Sequence, residues 1–98
     1  MEEVELLVFP AVGDPEKKQV VANLESLQSL VGGMIEPVAL QEKYGEGDLK
    51  TILRAFGLTF ARPIALVNEE GLLFDLPRNR WFPQFVGSVV VMDNKDLK

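Results

Sequence analysis

Two stretches of this chain limit its fold more than any other feature. Leu6-Leu7-Val8-Phe9 is apolar at four consecutive positions, and Val86 to Met92 is almost as continuous. Side chains alternate between the two faces of a strand, so an unbroken apolar run loads both faces at once. Such a strand has to be covered on both sides, by helices or loops of its own chain or by a second chain. With 98 residues the chain is one domain. A domain of this size buries about 60–65% of its unfolded surface, enough for a modest core. The problem it has to solve is two covers from under a hundred residues.

The remaining elements follow from local pattern. Val4 to Phe9 is the first strand, stopped by Pro10, with Gly13-Asp14-Pro15 as turn residues. Lys17 to Ala22 reads as the returning strand of a hairpin. Asn23 is a good N-cap, after which Leu24, Leu27, Leu30 and Val31 recur at helical spacing until Gly32-Gly33. Met34 to Leu40 is a strand whose Pro37 lacks an amide hydrogen, which places it on an edge or at a bulge. Residues 41–47 form a polar loop. Asp48 is a second N-cap, followed by Leu49, Ile52, Leu53 and Phe56 at i, i+3, i+4 and i+7, with Gly57 closing the helix. Pro63–Val67 and Leu72–Leu76 flank Asn68-Glu69-Glu70-Gly71, a sequence suited to a hairpin turn with a left-handed glycine. Val86 to Met92 is the last strand, and residues 93–98 read as a flexible tail.

Composition narrows the chemistry. The sequence has no His and no Cys. That removes disulfides, zinc fingers, thiol nucleophiles and His-assisted triads. Ser26, Ser29, Ser88, Thr51 and Thr59 lack any histidine to activate them. Gly32-Gly33 and Gly45-Glu46-Gly47 lack the Lys-Ser/Thr that directly follows the last glycine of a phosphate loop. Net charge is −5, distributed unevenly: residues 1–50 carry ten acids and four lysines, while all four arginines fall in residues 51–98. An acidic chain is a poor general binder of nucleic acid. No run approaches the roughly 18–20 apolar residues of a membrane span, and no signal peptide opens the sequence. A cytoplasmic protein is expected.

The order of several motifs resembles domain-of-unknown-function family 3846, small phage, plasmid and bacterial proteins. The matching pieces are Leu24 to Glu36, Ala65 to Gly71, Leu76-Pro77-Arg78-Asn79-Arg80 and Val86 to Val91. The resemblance implies a helix starting near Asn23 after a strand, and a context of mobile elements. It carries no catalytic residues. Residues 45–60, with their amphipathic helix, look inserted relative to that pattern.

Three groups are candidates for function. Arg78, Asn79 and Arg80 offer planar donor forks and an amide to a carboxylate or phosphate; the plainer account is an Asn that bonds its own turn between solvated arginines. Leu49, Ile52, Leu53 and Phe56 would either cover the second face of the sheet or dock on a partner. Trp81, Phe82 and Phe85 could stack on bases, but aromatic core is the expected role. Glu69-Glu70 at a turn tip are too few oxygens for a calcium loop. Together with Glu36 and Asp75 they are the carboxylates an enzymatic reading would need.

These readings converge on one α+β domain spanning residues 1–98. Its sheet, mixed or mainly antiparallel, has about five strands packed against one or two helices, with the first and last strands inside, and the expected elements along the chain run β-β-α-β-α-β-β-β. The expected role is a non-enzymatic accessory or protein-interaction domain without cofactor or metal. Its partner would be a host protein or a second copy of the chain. The alternative is a binder of a small anionic ligand or nucleotide through Arg78, Asn79 and Arg80.

Overall fold

The structure is a computed structural model that describes residues 3–40, 49–70 and 75–97. Five strands and two helices follow one another along the chain: β1 (Glu3–Phe9), β2 (Glu16–Val21), α1 (Leu24–Val31), β3 (Ile35–Ala39), α2 (Leu49–Ala55), β4 (Pro63–Asn68) and β5 (Val89–Asp93). The sheet runs β2-β1-β5-β4-β3 and every pairing is antiparallel. β1 and β5, the two strands apolar on both faces, are therefore internal, and Leu6 to Phe9 and Val89 to Met92 are all buried.

Strand alternation sorts the core into two clusters, one on each face. Leu6, Val8, Ile64, Leu66, Val90 and Met92 pack with Leu27 and Val31 of α1. Leu7, Phe9, Ala65, Val67, Val89 and Val91 pack on the opposite face with Leu53, Leu58 and Phe82. Each fully buried side chain of this kind stabilises the fold by about 1.5–3 kcal/mol. Both covers come from the chain itself. The two strands with no fully buried residue take the edges. β2 carries Lys17 and Lys18, and β3 carries Pro37 opposite Leu66, which discourages further strand pairing.

α1 has defined ends. The Asn23 side chain accepts from the Ser26 amide at 2.8 Å, so one orphan donor of the first turn is satisfied. Gly32 adopts φ 81°, and its amide bonds the Gln28 carbonyl at 2.8 Å. Leu24 shares the apolar stripe but is 60% exposed. It occupies the first helical position, from which side chains lean back past the helix end. The next anchor lies in β4: the buried Asn68 donates from Nδ2 to the Val31 carbonyl at 3.3 Å and accepts the Glu70 amide at 2.8 Å. A Cβ on Gly33 would stand 3.0 Å from that Nδ2, so a side chain there would press on the Asn68 amide.

Three local expectations change. β4 pairs with β3 on one edge and, from Pro63 to Leu66, with β5 on the other. Asp75 and Leu76, the described end of the expected 72–76 strand, are outside any strand. Leu72 to Phe74, like the 41–47 loop and the Asp48 cap, lie outside the described residues. The last strand begins at Val89 rather than Val86, since Val86 instead bridges Arg78. Finally, Asp93 does not begin a tail. It is buried at the end of β5, where its carboxylate accepts the Ala61 amide at 3.1 Å and caps a 3-10 turn over Asn94–Asp96.

Candidate functional site

The connection from β4 to β5 covers residues 69–88, and connections of that length often carry function. Its second half folds back on itself. Arg78 bridges Val86, the Asn79 amide bonds the Phe85 carbonyl at 2.8 Å, and the Gly87 amide bonds the Pro77 carbonyl at 2.7 Å. The Phe85 amide closes the tip on the Phe82 carbonyl. Gly87 has φ 75°, and a Cβ there would come within 2.9 Å of the Leu76 side chain. The positive φ favours glycine at that position.

Asn79 anchors the segment. It is 1% exposed and its amide is fully used. Nδ2 donates to the carbonyls of Phe9 and Gly87, both at 2.9 Å. Oδ1 accepts from the amides of Trp81 at 2.8 Å and Phe82 at 2.9 Å. Two donated and two accepted bonds exhaust a carboxamide. Asn79 therefore has nothing left for a ligand, and the expectation that it contacts one is corrected. It is the tie that fixes this segment to the end of β1.

The same tie determines what its neighbours can do. Arg78 and Arg80 flank a side chain that points inward, and both are exposed. The Arg78 guanidinium donates from Nη1 to the Pro83 carbonyl, and the Arg80 amide donates to the Ala11 carbonyl at 3.1 Å. Among the described residues neither guanidinium has an ion pair; the pairs present are Lys17–Glu5 at 3.2 Å and Lys18–Glu16 at 3.8 Å. Two exposed arginines with no ion pair among the described residues, on a pinned backbone, form a positive spot on a chain of net charge −5. The arrangement can accept carboxylates or phosphates at the surface.

The aromatic residues of the segment are core rather than a stacking platform. Phe82 meets Phe9 edge-to-face with centroids 5.0 Å apart, and Trp81 lies 5.9 Å from Phe9. The Trp81 indole donates to the Gly13 carbonyl at 3.1 Å, which ties the β1–β2 loop to the same segment.

The α2 stripe also turns inward. Leu53 is 3% exposed, and Leu49, Ile52 and Phe56 are half-buried against the same cluster. The Lys17 ammonium bonds the Phe56 carbonyl at 3.1 Å and so holds the helix end over β2. The carboxylates that an enzymatic reading would need are spread apart: Glu36 on edge strand β3, Glu69 and Glu70 at the end of β4, and Asp75 beyond them, none of them buried. Among the described residues no three acidic side chains gather as a metal would require. No helix among them is long and apolar enough to cross a membrane.

Sequence reasoning singled out the arginine turn but not its dependence on Phe9 and Gly87, because those partners are distant in the chain. It also missed Asn68 and Asp93 as anchors. An Asn or Asp closing an apolar strand was the available signal. Compared with protein-family models, curated proteins and solved structures, the chain matches none at a significant level.

Proposed function

We propose that the chain is a non-enzymatic binding domain that engages an acidic surface of a partner protein through Arg78 and Arg80. The observation that carries this reading is the Asn79 tie: it presents both guanidinium groups outward on a fixed backbone, with no described carboxylate paired to either. Preorganisation of this kind lowers the ordering cost of binding. The clefts beside α1 and beside β1 and β2 are not lined by Arg78 or Arg80, in keeping with a contact at the open surface. The inward α2 stripe gives no support to docking through Leu49, Ile52, Leu53 and Phe56. The resemblance to family 3846 suggests an accessory role in a mobile-element setting, and the domain acts in the cytoplasm.

The test is a nuclear magnetic resonance titration with a hexaglutamate peptide at low salt. Shifts should concentrate at residues 78–80 and fade as salt rises, because contacts between exposed charges are screened over about 8–10 Å at physiological ionic strength. The Arg78→Gln, Arg80→Gln double variant should remove them. Shifts elsewhere, or shifts that survive the double variant, would defeat the proposal.

A further inference from the structure

Two methionines fall among the described residues, and the fold treats them oppositely. Met92, in β5, is 0% exposed and packs in the core beneath α1. Met34, in the connection between α1 and β3, is 51% exposed. That connection is held from both sides. The Gln28 carbonyl accepts the Gly32 and Gly33 amides at 2.8 and 3.0 Å, and the Met34 carbonyl accepts the Glu69 amide at 2.8 Å. The Gln28 side chain adds one more bond: its Nε2 donates to the Met34 sulfur at 3.4 Å. A thioether is a weak acceptor. A carboxamide donor thus lies directly beside an exposed, oxidisable sulfur.

We infer that Met34 is a reversible oxidation site for hydroperoxides, and that Gln28 holds the sulfoxide it forms. A sulfur lone pair attacks one peroxide oxygen, and the S–O bond forms as the O–O bond breaks. With hydrogen peroxide the departing hydroxide takes the proton from the oxygen now on sulfur, so the products are sulfoxide and water. The sulfur loses two electrons and the peroxide gains them. A sulfoxide oxygen is a far stronger acceptor than a thioether, and the Gln28 donor is already within reach. The rotatable bonds of the methionine side chain let that oxygen turn towards it. A sulfoxide formed in a core disrupts its packing. Met34 lies outside both core clusters, so its oxidation leaves the fold intact. Exposure also leaves the product open to the reductases that restore methionine. Met92 is shielded in the folded chain, and its oxidation waits until the sheet opens.

Dilute hydrogen peroxide added to the folded full chain, followed by peptide mapping in a mass spectrometer, tests the inference. Met34 should gain one oxygen at least about tenfold faster than Met92, because Met92 reacts only from opened molecules. Urea below the unfolding transition should speed oxidation of Met92 and leave the Met34 rate nearly unchanged. Comparable rates at the two positions, or a Met34 rate that climbs with urea, would overturn the site. In nuclear magnetic resonance spectra the Gln28 side-chain amide protons should move downfield when the unsubstituted chain is oxidised. They should stay in place in peroxide-treated Met34→Leu. Unmoved Gln28 signals in the oxidised chain, or the same movement in Met34→Leu, would overturn the role of Gln28. Methionine sulfoxide reductases, one for each sulfoxide epimer, should return both the mass and the Gln28 signals of the folded chain to their starting values. A sulfoxide that persists under that treatment would overturn reversibility.

Discussion

The two faces of the sheet are covered in different ways. On one, a regular helix with a side-chain cap at its start, a left-handed glycine at its end and a buried Asn68 behind it lies across the strands. On the other, the short helix α2 covers part of the surface, and an irregular segment contributes Trp81, Phe82 and Phe85 to the rest. A helix satisfies its own backbone, so its cover is held by many small contributions. An irregular segment must find outside partners for each buried polar group, and here four of those bonds converge on one carboxamide. Stability should therefore be distributed on the α1 face and concentrated on the other.

Substitutions of graded severity probe that contrast. The largest effect is expected from Leu53→Asp, which places an unpaired charge in the α2-side core. It should abolish cooperative unfolding in urea. A folded monomer with normal secondary structure would mean that α2 is dispensable to the core. Asn79→Ala comes next. It strands two buried carbonyls and two amides, and a loss of about 3 kcal/mol or more is expected from the cost of unsatisfied groups. Urea midpoints give the value, and the Trp81 fluorescence should report a loosened segment. Asn68→Ala, its counterpart behind α1, releases only the Val31 carbonyl and the Glu70 amide and should cost about 1–2 kcal/mol. The smallest change is Asn23→Ala, about 1 kcal/mol for a lost N-cap. Equal costs for Asn79→Ala and Asn68→Ala would erase the distinction between the faces.

Most of the architecture was legible in the sequence because it depends on local or periodic signals. The doubly apolar runs put β1 and β5 inside the sheet, Pro37 fell on an edge strand, and Asn23 with Gly32 bounded α1. The expected 72–76 strand does not extend over its described residues, Asp75 and Leu76, for a physical reason. Turn chemistry at Asn68 to Gly71 is compatible with a hairpin, but pairing is decided by which strand occupies the neighbouring edge, and β5 arrives there from some twenty residues downstream. The candidate site was legible only as a composition. Arg78-Asn79-Arg80 stood out, yet whether the amide faces a ligand or the backbone depends on Phe9 and Gly87. Likewise, the cleft beside α1 joins residues from three separate parts of the chain, and no spacing announces it.

The bond from Asn79 to Phe9 closes a span of 70 residues. Contacts that distant form after the local ones, since the chain entropy of closing the loop has to be met first. The arginines therefore acquire their fixed display only when the first strand, the connecting segment and β5 have come together. A nascent chain whose β5 has not yet joined the sheet holds Arg78 and Arg80 on slack backbone, and so does a cleaved or locally opened one. The outward display of Arg78 and Arg80 is thus conditional on completion of the fold, and it separates finished molecules from unfinished ones.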